Sequence, residues 1–167
     1  MIAAVWRAIE AHLRSRHVAR VIYGAIIGLA LVVALEQHPP TVAQTVGAIV
    51  ATALAVGLAE MYSEFVGAEA RERRHIGRAD RRVLAADALA VTFGAGFPAL
   101  FFLLAAVGVL ELDAAFTLAK WTGLALIGGY GFAAARLSGS GTGAAVLHAS
   151  ALGAIGGALI ALKALLH

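Results

Sequence analysis

The sequence has no cysteine, three prolines and little charge, and each shortage removes a class of explanation. Without cysteine there is no disulfide framework and no thiolate metal site, so stability must come from packing. Oxygen and nitrogen ligands would then carry most of any metal site, and these suit hard or borderline divalent ions. Charged residues are 14% of the 167, hydrophobic ones 61%, and the mean hydropathy is +0.87. One soluble domain of this length cannot bury so much apolar surface, so a lipid bilayer is the expected solvent. A secretory leader is not indicated: Arg7, Glu10 and Arg14 interrupt the first seventeen residues, and no small-residue cleavage site follows an apolar core. No HExxH, Ser-His or paired-carboxylate signature is placed for catalysis, and the chain is read as a non-enzyme.

What the sequence does contain is long apolar runs. A spanning helix needs about 20 largely apolar residues, because roughly 30 Å of hydrocarbon is crossed at about 1.5 Å per residue. Five runs satisfy this, at about 18–36, 41–66, 84–110, 114–136 and 142–166. The expected fold class is therefore all-α, a polytopic membrane protein with one transmembrane domain. The alternation of barrel strands is missing, and unpaired backbone in lipid costs several kcal/mol per group. Pro39 and Pro40 turn the chain after the first run, and Pro98 removes a backbone hydrogen bond from the third, which should kink there. In residues 1–17, Ile2, Val5, Trp6, Ile9 and Leu13 share one helical face, which reads as an amphipathic helix on the membrane surface.

Charge placement gives an orientation. Every arginine lies before the first span (Arg7, Arg14, Arg16, Arg20), between the second and third (Arg71 to Arg82), or between the fourth and fifth (Arg136). With five spans those places share one side. The opposite loops, EQHPPT and ELDAAF, hold no Lys or Arg, so the positive-inside rule puts the N-terminus in the cytoplasm and the C-terminus outside, in a multi-pass protein of the cell membrane. The net charge of +3 follows from this topology and does not point to nucleic acid.

Ionisable residues inside such spans are the candidate functional groups. Ala53, Gly57, Glu60, Glu64 and Gly67 are spaced by four, three, four and three, one helical stripe that should face other helices. Asp87 and His148 fall at a similar depth, with Tyr23 close by, while Glu36, His38, Glu111, Asp113, Lys120 and Lys163 belong to the outer half. The functional reading is a carboxylate and imidazole site for Mn²⁺ or Fe²⁺, or for protons. The plainer reading pairs Glu60 and Glu64 with Arg71 or Arg74 at a helix end, sets Asp87 against a helix dipole, gives His148 a hydrogen-bonded packing role, and lets Arg20, Lys120 and Lys163 reach toward the headgroups. Burial of Glu60 disfavours a bare charge unless a metal cation or a cationic side chain accompanies it.

In the C-terminal half, Gly96 with Pro98 at the head of an apolar helix, Gly131 followed by AAARLSGSG, and the Gly153 to Gly157 stretch resemble the last three membrane helices of the vacuolar iron transporter family. GLAEMYSEFVGAEARE looks like that family's second-helix end, where a methionine and a glutamate lie near the ion path; Glu60, Met61 and Glu64 are the matching positions. The resemblance implies a five-helix fold with a cytoplasmic N-terminus, a homodimer, and transport of a divalent cation (Fe²⁺ or Mn²⁺), with Glu60, Glu64 and Met61 at the matching positions; Asp87 and His148, from their depth, complete the metal-ligand candidates. Two family features are missing. The first span has Tyr23-Gly24 where the family has an aspartate followed by glycine, and the second-to-third connection is short and arginine-rich where the iron-binding members have a glutamate-rich domain. Two expectations follow: a divalent-cation transporter coupled to protons, and a non-transporting scaffold or accessory subunit that keeps the fold. For assembly, Gly24-xxx-Gly28 is expected at a dimer axis, since small residues let backbones approach in lipid.

Overall fold

The computed structural model describes residues 17–72 and 75–165, and all of its regular structure is helical. The amphipathic helix expected over residues 1–17 lies outside the described residues except for His17, as does Arg74. Six helices follow one another: α1 His17–Leu35, α2 Val42–Glu72, α3 Arg78–Gly96, α4 Ala99–Ala106, α5 Leu112–Leu137 and α6 Thr142–Leu165. Both α1 and α2 are long and apolar enough to cross a membrane, and α3 with α4 makes a third such segment, bent by 51°.

Local chemistry fixes these boundaries. Thr41 caps α2: its hydroxyl accepts from the Gln44 amide at 3.3 Å, while the Gln44 side chain accepts from the Thr41 amide at 3.1 Å, a reciprocal capping box. At the start of α3 the Asp80 carboxylate accepts from the Gly77 amide at 3.3 Å. The run expected over 84–110 is two helices, because Pro98 has no amide for the Gly94 carbonyl. After it the bonding tightens to i→i−3, with Leu100 donating to Phe97 and Phe101 to Pro98, both at 3.1 Å. α4 and α5 both end in Schellman motifs that need a left-handed residue. Gly108 (φ 77°) and Gly139 (φ 86°) supply it, with Val109 donating to Leu104 and Ser140 to Ala135.

α1 occupies the middle, touching α2, α3, α5 and α6. Its buried face runs through Val21, Ala25, Leu29 and Val32. Ala25, Leu29 and Val33 pack with Ile127 of α5. Toward the C-terminal end of α1, Val32 joins Ile49, Ala99, Phe102 and Phe116, and the two phenylalanine rings meet edge to face with centroids 4.8 Å apart. Against α3 the packing is closer still, backbone on backbone. A Cβ on Gly24 would lie 2.1 Å from the Val91 carbonyl oxygen, one on Gly28 2.6 Å from that of Ala95, and one on Gly94 2.2 Å from that of Val21. The Gly24-xxx-Gly28 face assigned to a dimer axis is therefore filled by α3 of the same chain, because Gly94 answers it from the other side. A small-residue motif dictates close approach without naming its partner.

The stripe on α2 does meet another helix. Ala53 and Gly57 are buried, and a Cβ on Gly57 would collide with the Thr92 hydroxyl of α3. Val50, Leu54, Leu58, Tyr62 and Val66 share the other side of α2 and are exposed, as lipid-facing residues would be.

Candidate functional site: a charged cluster at one end of the bundle

α1 starts where α2 finishes, so the antiparallel arrangement brings Arg20 to the carboxylates of the α2 stripe. One guanidinium nitrogen of Arg20 pairs with Glu60, and the other donates to Glu64 Oε1 at 2.8 Å. Glu64 also meets Arg71 at 3.5 Å on its outer side. Arg20 is 24% exposed and Glu60 14%, so the two acids and Arg20 are half-buried, and the exposed Arg71 brings the set to no net charge. An arginine suits the place, since its planar fork serves two carboxylates at once and is more weakly hydrated than an ammonium. The sequence suggests headgroups as the partner of Arg20; the partners it has are carboxylates of the neighbouring helix.

One helix over, Asp87 of α3 is 1% exposed, and its Oδ1 lies 3.0 Å from Nδ1 of His17. A carboxylate taken out of water needs such company. His17, Val21, Phe93 and Tyr130 line an open cleft of about 520 Å³ beside this pair, between α1, α3 and α5.

At the far end of α1, sixteen residues from Arg20 and so about 24 Å along the helix, Lys120 of α5 donates to Glu36 at 2.6 Å, each being 20% exposed. Lys120 thus points to an acid within the bundle, not outward. Glu111, Asp113 and His38 are exposed. The side chain of Lys163 is outside those described.

The five candidate metal ligands do not come together. Glu60 and Glu64 share Arg20, Asp87 is with His17, and Met61 lies on another face of α2, in a cleft with Tyr62, Phe65, Arg81 and Leu84. His148 is exposed on α6, its Nδ1 3.2 Å from the Ala144 carbonyl of its own helix. Tyr23, expected near the same depth, is 49% exposed and points away from the cluster. Among the described residues no three His, Asp or Glu side chains are grouped so as to hold a metal ion. Sequence reasoning missed Arg20, His17 and Lys120 as partners. The available signal was depth: Arg20 lies at the level inside the first span that Glu60 occupies in the second.

Comparison with protein-family models, characterised proteins and solved structures finds no match to this chain. The likeness to vacuolar iron transporters therefore remains one of motifs alone.

Proposed function

We propose that the chain is a five-span integral membrane protein, α3 and α4 forming one broken span, that serves as a non-transporting scaffold or accessory subunit. Its N-terminal side, with Arg20 and the arginines between α2 and α3, faces the cytoplasm. The observation that carries this reading is the double engagement of Arg20 by Glu60 and Glu64. A metal path along the α2 stripe needs those carboxylates as ligands, and an internal cation neutralises them instead. Charge pairs at Arg20 and at Glu36 lie about 24 Å apart along α1, close to the thickness of the hydrocarbon layer, where they would hold the helices in register at both interfaces.

One observation favours the second reading, a divalent cation transporter coupled to protons. Asp87 and His17 form a buried carboxylate–imidazole pair beside an open cleft, an arrangement able to pass a proton. Uptake of Mn²⁺ or Fe²⁺ into proteoliposomes under an imposed pH gradient separates the two. The scaffold reading expects wild type, Glu60→Gln and empty vesicles to be equal. Uptake by wild type that is lost in Glu60→Gln or Asp87→Asn, together with metal in the purified protein by elemental analysis, would replace it with transport.

A further inference from the structure

The cleft that takes in Met61 has no part in the reading above. It lies between α2 and α3, has a volume of about 270 Å³, and is walled by Met61, Tyr62, Phe65 and Leu84. Four of its five lining residues are thus apolar or aromatic; the fifth is Arg81. The Arg81 guanidinium carbon lies 5.7 Å from the centroid of the Phe65 ring, which holds the cation over the cleft mouth by its quadrupole. Among the described residues no carboxylate makes an ion pair with Arg81. Glu69, within electrostatic reach of it, is engaged by His75 at 3.2 Å and by the Ile76 amide. Arg78 and Arg82 flank it on the exposed first turns of α3 and add positive charge.

Depth completes the picture, and here the inference rests on the membrane reading above. Arg81 precedes Asp87 by six residues on α3, which puts it about 9 Å further toward the cytoplasmic end. If the Arg20 and Asp87 level is the inner edge of the hydrocarbon, Arg81 stands among the headgroups, while Leu84, three residues before Asp87, and Met61, next to Glu60, lie within about 5 Å of that edge, at the ester layer. An apolar slot below a fixed cation at that depth is complementary to one kind of molecule. We propose that this cleft binds an anionic phospholipid of the cytoplasmic leaflet, with its phosphate on Arg81 and the upper part of one acyl chain against Met61, Tyr62 and Leu84. The Phe65 ring lies against the guanidinium and ties it to the slot, so the site is a placed one and not the diffuse attraction that any basic segment has for anionic lipid.

The full-length protein, delipidated in a neutral detergent, is the material for the test. Native mass spectrometry should show one retained phosphatidylglycerol in preference to phosphatidylcholine, and thermal unfolding should shift upward with the former only. Arg81→Gln should weaken phosphatidylglycerol retention about fivefold, as expected for one arginine at a membrane surface. Phe65→Leu, which keeps the charge but removes its platform, should weaken it measurably too. Arg136→Gln, at the same end but bonded to Ser140 and Thr142, should leave it unchanged. Equal retention of the two lipids by wild type would overturn the proposal. So would equal losses in Arg81→Gln and Arg136→Gln, or an identical stabilisation by inorganic phosphate alone. Membrane integration is scored separately, by resistance to alkaline extraction; extraction of the protein would sink the membrane reading itself, whereas resistance with no lipid preference sinks only the site.

Discussion

Replacing Gly24 with alanine tests the central packing contact of the bundle. The added methyl carbon would stand 2.1 Å from the Val91 carbonyl oxygen and 2.9 Å from the Ala95 amide nitrogen. Carbon and carbonyl oxygen tolerate about 3.3 Å, so α1 and α3 must part by roughly an ångström along that line. The obstructing atoms are backbone and cannot rotate aside as a side chain would. Overpacking of this kind costs about 1–3 kcal/mol, and a rigid neighbour puts Gly24 at the upper end. Alanine's better helix propensity returns up to about 1 kcal/mol, leaving a net loss of about 2 kcal/mol. Gly94→Ala should behave alike, since its Cβ would lie 2.2 Å from the Val21 carbonyl oxygen, and Gly28→Ala, at 2.6 Å, should cost less. Gly47 and Gly129 meet nothing within 4 Å, and alanine at either should be neutral or stabilising. Unfolding in mixed micelles titrated with dodecyl sulfate, followed by far-ultraviolet circular dichroism at two protein concentrations, reads these differences. Equal stability of Gly24→Ala and Gly47→Ala would refute the backbone contact. A loss that appears only as a smaller dimer fraction would move the glycine face to an interface between two copies.

Arg20→Met strands Glu60 and leaves Glu64 with Arg71 alone; breaking a fully buried pair costs about 3–5 kcal/mol, and partial exposure brings the expected loss to about 2–3 kcal/mol in the same unfolding assay. Adding Glu60→Gln and Glu64→Gln to that variant should restore most of it, and no restoration would mean that the arginine acts through packing alone. Lys120→Met should likewise destabilise, and Lys120→Met with Glu36→Met should return to near wild type, because replacing both partners of a buried pair by apolar groups is close to neutral. A reporter fused after His167 should be extracytoplasmic and one inserted between Arg73 and Arg81 cytoplasmic; both on one side would remove the five-span topology.

Features set by local geometry were legible from the residues alone. Helical spacing put Ala53, Gly57, Glu60 and Glu64 on one face, and that face meets α3 and Arg20. The chemistry of Pro98 placed the break in the third run. Features that depend on which helices are neighbours were not legible. Arg20 and Lys120 read as cations near helix ends, for which water is the default partner, and only the packing of α1 against α2 and α5 supplies Glu60, Glu64 and Glu36 instead. His148 matches Asp87 in depth, but depth does not choose a face: small residues run round α6 and leave its inner side undefined, and His148 is exposed. For Gly24 and Gly28 the decisive clue was Gly94, far along the chain in α3 and matched to them only by close packing in space.

The backbone contact between α1 and α3 also orders assembly. A chain made from its N-terminus delivers α1 first and α2 second, yet these two touch far less than α1 and α3 do. On the membrane reading proposed above, the glycine face of α1 has only lipid against it while α3 is still inside the ribosome. The first hairpin is then joined chiefly where Arg20 grips Glu60 and Glu64. That grip is a clasp closed early: it fixes how far α1 slides along α2, so that when Gly94 arrives the groove it must enter is already at the right height. Loss of Arg20 therefore harms the nascent chain before it harms the finished one, lowering the yield of inserted protein by more than the stability of the survivors.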